Sequence, residues 1–122
     1  MPKTLLLVDD DPDFLSALAA FLGTRGFRVE TASSAEAGIQ AAREQRPDLC
    51  VLDVKMEGMD GYAMCEAMKL DDQTFETPVI FLSGLTETGD VLRGYYAGAH
   101  EYLTKPLDQD ELLRKIAKLI GT

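Results

Sequence analysis

Several marks of specialised proteins are missing from this sequence. Cysteine is scarce: only Cys50 and Cys65 occur among 122 residues. Two thiols so spaced make neither a zinc site nor a disulfide framework, and the expectation is free, buried thiols in a reducing cytoplasm. No apolar run reaches the ~18–20 residues of a membrane-spanning helix. The amino-terminal segment has one Lys and a short apolar run that ends in acid, unlike a signal peptide. Basic residues are few: 12 Lys and Arg stand against 21 Asp and Glu, for a formal net charge of −9. A nucleic-acid-binding surface needs a basic patch to neutralise phosphates, so direct nucleic-acid binding is not expected. No repeat, low-complexity stretch or Pro/Gly/Ser linker divides the chain, and one domain over residues 1–122 is expected.

What is present is a fivefold alternation of strand-like and helix-like segments. Apolar residues make up 46% of the chain, ordinary for a folded domain. Residues 4–8 form a short continuous apolar run, as a strand buried on both faces should. Asp11-Pro12 then reads as an N-cap with Pro in the first helical turn. Phe14, Leu15, Leu18, Phe21 and Leu22 follow at helical spacing. Residues 27–31 alternate like a half-exposed strand, and Ser33 with Glu36 fits a capping box. Further strands are expected at 49–52, 78–82 and 101–103. Helices carry Met64, Cys65 and Met68, then Val91, Leu92, Tyr95 and Tyr96, then Leu112, Leu113, Ile116, Leu119 and Ile120. Asp108 with Glu111 resembles a capping pair. Five β–α units predict a parallel sheet with helices on both faces. In such a sheet the site lies at the carboxyl ends of the strands, near a switch in strand order.

Those ends carry a consistent chemistry. Asp9, Asp10 and Asp11 follow the first strand, Asp53 the third, Ser83 the fourth, and Thr104 and Lys105 the fifth. Carboxylates in one crevice repel one another and need a cation, a proton or a lysine to coexist. Hard oxygen ligands suit Mg²⁺, the usual partner of a phosphoryl group. Ser83 can donate to a phosphoryl oxygen, and Lys105 can place a point charge on another. Asp53 is then the natural nucleophile. A nucleotide-binding reading fails at the first loop, where three acids stand in place of phosphate-binding donors. An EF-hand reading fails because Phe14 stands where that loop needs Gly and Ala20 where it needs Glu.

At this point the chain resembles the receiver domains of two-component response regulators, the CheY-like family. The motifs are Leu-Leu-Val-Asp-Asp-Asp-Pro at 6–12, Leu-Asp-Val-Lys-Met-Glu-Gly-Met-Asp-Gly at 52–61, Phe-Leu-Ser-Gly at 81–84 and Gly-Ala-His-Glu-Tyr-Leu-Thr-Lys-Pro at 98–106. The resemblance covers essentially the whole chain. It implies a doubly wound, flavodoxin-like (βα)5 fold with a parallel five-stranded sheet in the order 2-1-3-4-5. It also implies Asp53 as phosphoacceptor and Mg²⁺ (or Mn²⁺) as cofactor. Asp10 and Asp53 would ligate the metal directly, Asp9 through a water, and Lys55 through its backbone carbonyl. Ser83 resembles the switch hydroxyl, Lys105 the active-site lysine, and Tyr102 the switch aromatic that turns inward when Ser83 moves.

The implied partners are a sensor histidine kinase or phosphotransfer protein and a downstream output protein or fused effector domain. A phosphorylation-dependent homodimer and a cytoplasmic location are further implications. The domain would catalyse only its own phosphorylation and dephosphorylation. The chain is expected to be a piece of a longer regulator rather than a stand-alone receiver.

Departures and rivals complete the reading. Glu57 stands where many members have Pro. Leu85, two residues past Ser83, is expected to hinder the water that attacks an aspartyl phosphate. Asp11 reads as a cap, Asp13 and Asp60 as solvated turn residues, and His100 as a surface residue rather than a relay histidine. One rival is a haloacid-dehalogenase-type phosphohydrolase with Asp9 as nucleophile and Asp11 as acid/base. Against it, such enzymes need further acids after the lysine strand, and only a helix follows Lys105. The other rival is a phosphorylation-independent interaction module, which a complete acid, hydroxyl and lysine set disfavours.

Overall fold

A computed structural model describes residues 2–122. In chain order the elements are β1 (Thr4–Val8), α1 (Pro12–Thr24), β2 (Arg28–Ala32), α2 (Ala35–Gln45), β3 (Leu49–Leu52), α3 (Gly61–Lys69), β4 (Val79–Ser83), α4 (Thr88–Tyr96), β5 (Glu101–Thr104) and α5 (Gln109–Ile120). The strands form one parallel sheet, as the alternating segments predict, in the order β2-β1-β3-β4-β5 that the family resemblance implies.

The apolar runs in the strands follow from this arrangement. Successive side chains point to opposite faces, so a strand covered on both sides must be apolar throughout. Leu5 and Leu7 of β1 join Leu49, Val51, Ile80, Leu82 and Leu103 on one face, under Leu15, Leu18 and Leu22 of α1 and Leu112 and Ile116 of α5. Leu6 and Val8 join Cys50, Leu52, Val79, Phe81 and Tyr102 on the other, against α2 and α3 and under part of α4. The edge strand β2 is only half covered: Arg28 and Thr31 are exposed, and only Ala32 is buried.

Most boundaries fall where the sequence places them, with five corrections. Strand β5 runs over 101–104 rather than 101–103, so Thr104 is its last residue, paired with Ser83, rather than the first residue beyond it. Strand β2 runs over 28–32 rather than 27–31, and Phe27 packs from the preceding turn. Strand β4 runs over 79–83 rather than 78–82. Pro78 has no N–H to give, but its carbonyl accepts from Cys50 N at 2.9 Å, and Ser83 becomes the last residue of the strand. The cap of α2 is Ser34, whose hydroxyl accepts from Ala37 N at 3.1 Å, so the Ser33–Glu36 box is one residue out of register. Asp60 is not a free turn residue: it caps α3, accepting from Ala63 N at 2.9 Å. The caps Asp11 and Asp108 are as expected. On α4 only Val91 packs inward among the four apolar residues named, while Leu92, Tyr95 and Tyr96 are exposed. His100 is exposed, as expected.

Strand order reverses between β1 and β3, whose carboxyl ends therefore open onto one crevice. The backbone is pinned there. Asp53 N donates to Val8 O at 2.9 Å, Asp9 N to Ala32 O at 3.2 Å, and Lys105 N to Ser83 O at 2.8 Å.

Candidate functional site

Asp9, Asp10 and Asp53 come together at this crevice, each with a carboxylate oxygen within 4.8 Å of the others. Asp9 and Asp53 are buried and Asp10 is exposed. Asp9 is held at both oxygens: Oδ1 accepts from Asp11 N at 2.9 Å and Oδ2 from Lys105 Nζ at 2.8 Å. One oxygen of Asp53 accepts from Val54 N at 2.8 Å, and the other lies 3.6 Å from Lys105 Nζ.

Gly61 explains why the loop after Asp53 can close so tightly. The helix α3 starts against the end of β3, with Gly61 N donating to Val54 O at 2.8 Å. A Cβ at position 61 would collide with the Asp53 carbonyl. Lys55 lies in this loop with its side chain in solvent.

Electrostatics sets the behaviour of the cluster. Burial and the Asp9 charge push the Asp53 carboxyl up, against the pull of Lys105 and the Val54 N–H. Burial alone would lower the Lys105 ammonium, but Asp9 and Asp53 outweigh it and hold the lysine above its ordinary value. One ammonium, beside two of them, thus stands against three clustered carboxylates, and the excess negative charge calls for a cation. Three hard oxygen donors, one of them open to solvent, fit a Mg²⁺ ion that keeps several waters.

Ser83 is buried at the end of β4, and its hydroxyl accepts from Leu85 N at 3.1 Å. Tyr102 stands inward, its ring centroid 5.9 Å from that of Phe81 and its hydroxyl donating to Leu85 O at 2.6 Å. Phe81 in turn meets Tyr62 edge-on at 5.5 Å.

The structure thus gathers Asp9, Asp10, Asp53 and Lys105 and sets Ser83 and Tyr102 on the adjoining strands. Asp11 points elsewhere: its carboxylate accepts from Asp13 N and Phe14 N as the cap of α1. Two neighbours escape a sequence reading. Phe14 belongs to the apolar stripe of α1, yet its ring face lies 4.3 Å from Lys105 Nζ. Tyr62 donates to Asp90 O at 2.9 Å under the Arg93 guanidinium, which lies 4.6 Å from its ring centroid. Neither contact leaves a signal in local spacing, because each joins elements far apart in the chain.

Known proteins with this arrangement are numerous. Residues 5–117 match the family described as the response regulator receiver domain. The transcriptional regulatory protein AfsQ1 of Streptomyces coelicolor is 43% identical over 107 residues, which cover 88% of this chain and 46% of that protein. The DNA-binding dual master transcriptional regulator RpaA of Synechocystis sp. is 33% identical over 120 residues, covering 98% of this chain and 49% of that protein. The chain therefore spans about half the length of the curated relatives it matches. Among solved structures, the chemotaxis protein CheY4 of Vibrio cholerae superposes with a TM-score of 0.92 at 27% identity, over 98% of this chain and 99% of that one. The BeF3-activated DrrB receiver domain gives 0.89 at 31% identity over the whole of both chains. The order of the sheet, the acids at its carboxyl rim and the match across nearly the full length agree: this chain belongs to the receiver domains of two-component response regulators.

Proposed function

We propose that Asp53 accepts a phosphoryl group from the phosphohistidine of a sensor kinase or phosphotransfer protein. The observation that carries this is the placement of Asp53 between the Asp9/Asp10 pair and Lys105, with one carboxylate oxygen outside the Val54 hydrogen bond. In the transfer that oxygen forms a bond to phosphorus as the donor's P–N bond breaks, and the imidazole keeps the electron pair. Asp10, Asp53 and the Lys55 carbonyl would hold Mg²⁺, with Asp9 acting through a water. Bound there, the ion supplies positive charge to the phosphoryl oxygens and to the acids around them. Lys105 is near enough to Asp53 to shift from Asp9 to a new phosphoryl oxygen. Ser83 would give its hydroxyl hydrogen to another, and Leu85, joined to both Ser83 and Tyr102, would carry the change toward α4.

The dehalogenase-type rival is disfavoured by the same geometry. Both oxygens of Asp9 are engaged, and Asp11 spends its carboxylate on the start of α1. The output partner or domain, a phosphorylation-dependent dimer and a cytoplasmic location belong to this proposal. No helix among the described residues is long and apolar enough to cross a membrane.

The test is intact mass after incubation with Mg²⁺ and acetyl phosphate. A single added phosphoryl group, labile to hydroxylamine and missing from Asp53→Asn, is expected. An unlabelled wild type, under conditions that label an established receiver, would favour the interaction module. Donor hydrolysis that survives Asp53→Asn and dies in Asp9→Asn would favour the hydrolase.

A further inference from the structure

Four contacts close a circuit around Lys105. Asp9 Oδ1 accepts from Asp11 N at 2.9 Å. The Asp11 carboxylate accepts from Phe14 N at 3.2 Å, fixing the first turn of α1. The ring face of Phe14 lies 4.3 Å from Lys105 Nζ. That ammonium returns to Asp9 Oδ2 at 2.8 Å. Asp53 lies just outside the circuit, 3.6 Å from the same nitrogen.

The partners of the ammonium differ in kind. Asp9 and Asp53 attract it with full charges, and Asp9 accepts one of its N–H bonds. Phe14 attracts it through the negative face of an aromatic ring, and it also keeps water from one side of a cation that is only 26% exposed. A carboxylate in place of the ring would hold the lysine harder and would compete with a phosphoryl oxygen for its hydrogens. An aliphatic side chain would exclude water but give no attraction. An aromatic face limits where the ammonium rests and leaves its N–H bonds free to turn toward Asp53.

We infer that Phe14 is a positioning residue for phosphoryl transfer, its ring face holding the Lys105 ammonium between Asp9 and Asp53. The inference rests on Asp53 being the phosphoacceptor. It also gives Asp11 a use beyond capping, since Asp11 sets the turn from which the ring reaches Lys105.

The test compares wild type, Phe14→Leu and Phe14→Tyr in two assays. The first is the initial rate of labelling by acetyl phosphate with Mg²⁺, read by intact mass. The second uses no metal or donor: the rate at which an amine-acylating reagent modifies Lys105, read by peptide mass. Phe14→Leu is expected to slow labelling by about three- to tenfold, the range an attraction of this kind supports. It should speed acylation of Lys105, because the amine is less confined. Phe14→Tyr retains a ring face and should stay much nearer the wild type in both assays. Thermal unfolding of each protein separates these effects from loss of fold. If Phe14→Leu proves unstable, Phe14→Met repeats the comparison with another non-aromatic side chain.

Wild-type rates in both assays for the folded Leu or Met variant would overturn the inference. Equal slowing by Leu and Tyr would overturn it too, since the ring face would then not be the cause. A wild type that takes no label would instead defeat the Asp53 reading and the transfer role built on it. The acylation rates would still show whether Phe14 confines Lys105.

Discussion

The hydroxyl of Tyr102 donates to the backbone carbonyl of Leu85 at 2.6 Å, joining β5 to the loop ahead of α4. Gly94 makes room for the ring. A Cβ there would lie 2.8 Å from Tyr102 Cδ2 and 3.1 Å from Phe81 Cδ2. Gly94→Ala is therefore expected to displace Tyr102 and break its bond to Leu85. The overpacking should cost about 1–3 kcal/mol. Tyr102→Phe keeps the ring and loses only the hydrogen bond, at about 0.5–1.5 kcal/mol. Urea midpoints for the two variants check the ranking. A wild-type Tyr102 ring environment in Gly94→Ala, read by NMR, would contradict it.

Tyr62 gives a second readout of the same region. Burial, followed by the neighbouring Tyr102 and Asp90, pushes its phenol up to about 12. Ultraviolet titration of the tyrosines should show a late step near that value, which disappears in Tyr62→Phe. Persistence of the step in the variant would assign it to another tyrosine. The same substitution removes the bond to Asp90 O and loosens the tie between α3 and α4.

Glu101 links β5 to α5 through Lys115 at 3.2 Å and Lys118 at 3.0 Å. Burial pushes its carboxyl up, but the two lysines outweigh burial and hold it below the ordinary value. A carboxyl lowered by folding contributes stability that is present above its unfolded value and lost as pH falls through the folded one. Glu101→Gln should therefore lower stability by about 1 kcal/mol at neutral pH, because one lysine is largely exposed and its pairing is weak. The difference from wild type should shrink below pH ~4. Denaturant unfolding at pH 7 and pH 3.5 tests this, and a gap that stays constant would refute it.

Asp53 has the opposite sign. Burial and the charge of Asp9 disfavour its ionised form, so at neutral pH the carboxylate costs stability that the unfolded chain does not. Without divalent ions, Asp53→Asn should raise Tm by about 3–6 °C, the shift that ~1 kcal/mol gives at this chain length. Added Mg²⁺ should stabilise the wild type more than the variant, since a ligand bound only by the folded state adds stability. Calorimetry with and without Mg²⁺ would show the order of the two proteins narrow or reverse. An equal Mg²⁺ response would remove Asp53 from the ligand set.

Much of this was legible in the sequence, for reasons tied to particular residues. The run from Leu5 to Val8 reads as a central strand because both faces are covered, and the acids follow directly where its backbone ends. Asp11-Pro12 and Asp108 mark helix starts by short-range bonding, which spacing records. The Ser33 cap was displaced by one because two serines stand together and only Ser34 has the geometry to reach Ala37 N. Asp60 reads as a turn acid until the start of α3 is known. Leu92, Tyr95 and Tyr96 have helical spacing but lie on the outer side of α4, which periodicity alone does not distinguish from the inner side. Phe14 over Lys105 and Tyr62 on Asp90 depend on how separate elements pack, so no local pattern announces them.

The crevice is assembled from residues that leave β1, β3, β4 and β5 within a step or two of their last paired positions. The acids, hydroxyl and lysine of the crevice are thus counted off from strands, and parity matters. Deleting one residue inside β1 would pull Asp9 back into the strand and turn side chains of β1 from one apolar core toward the other. The opposite rim has no such count to keep. There the segment between α3 and β4 exposes Leu70 and Phe75 and carries none of the acids, hydroxyl or lysine of the crevice. Insertions engineered into residues 70–77 should therefore leave the chemistry in frame, while a change of length between a strand end and its crevice residue should displace that residue from the cluster.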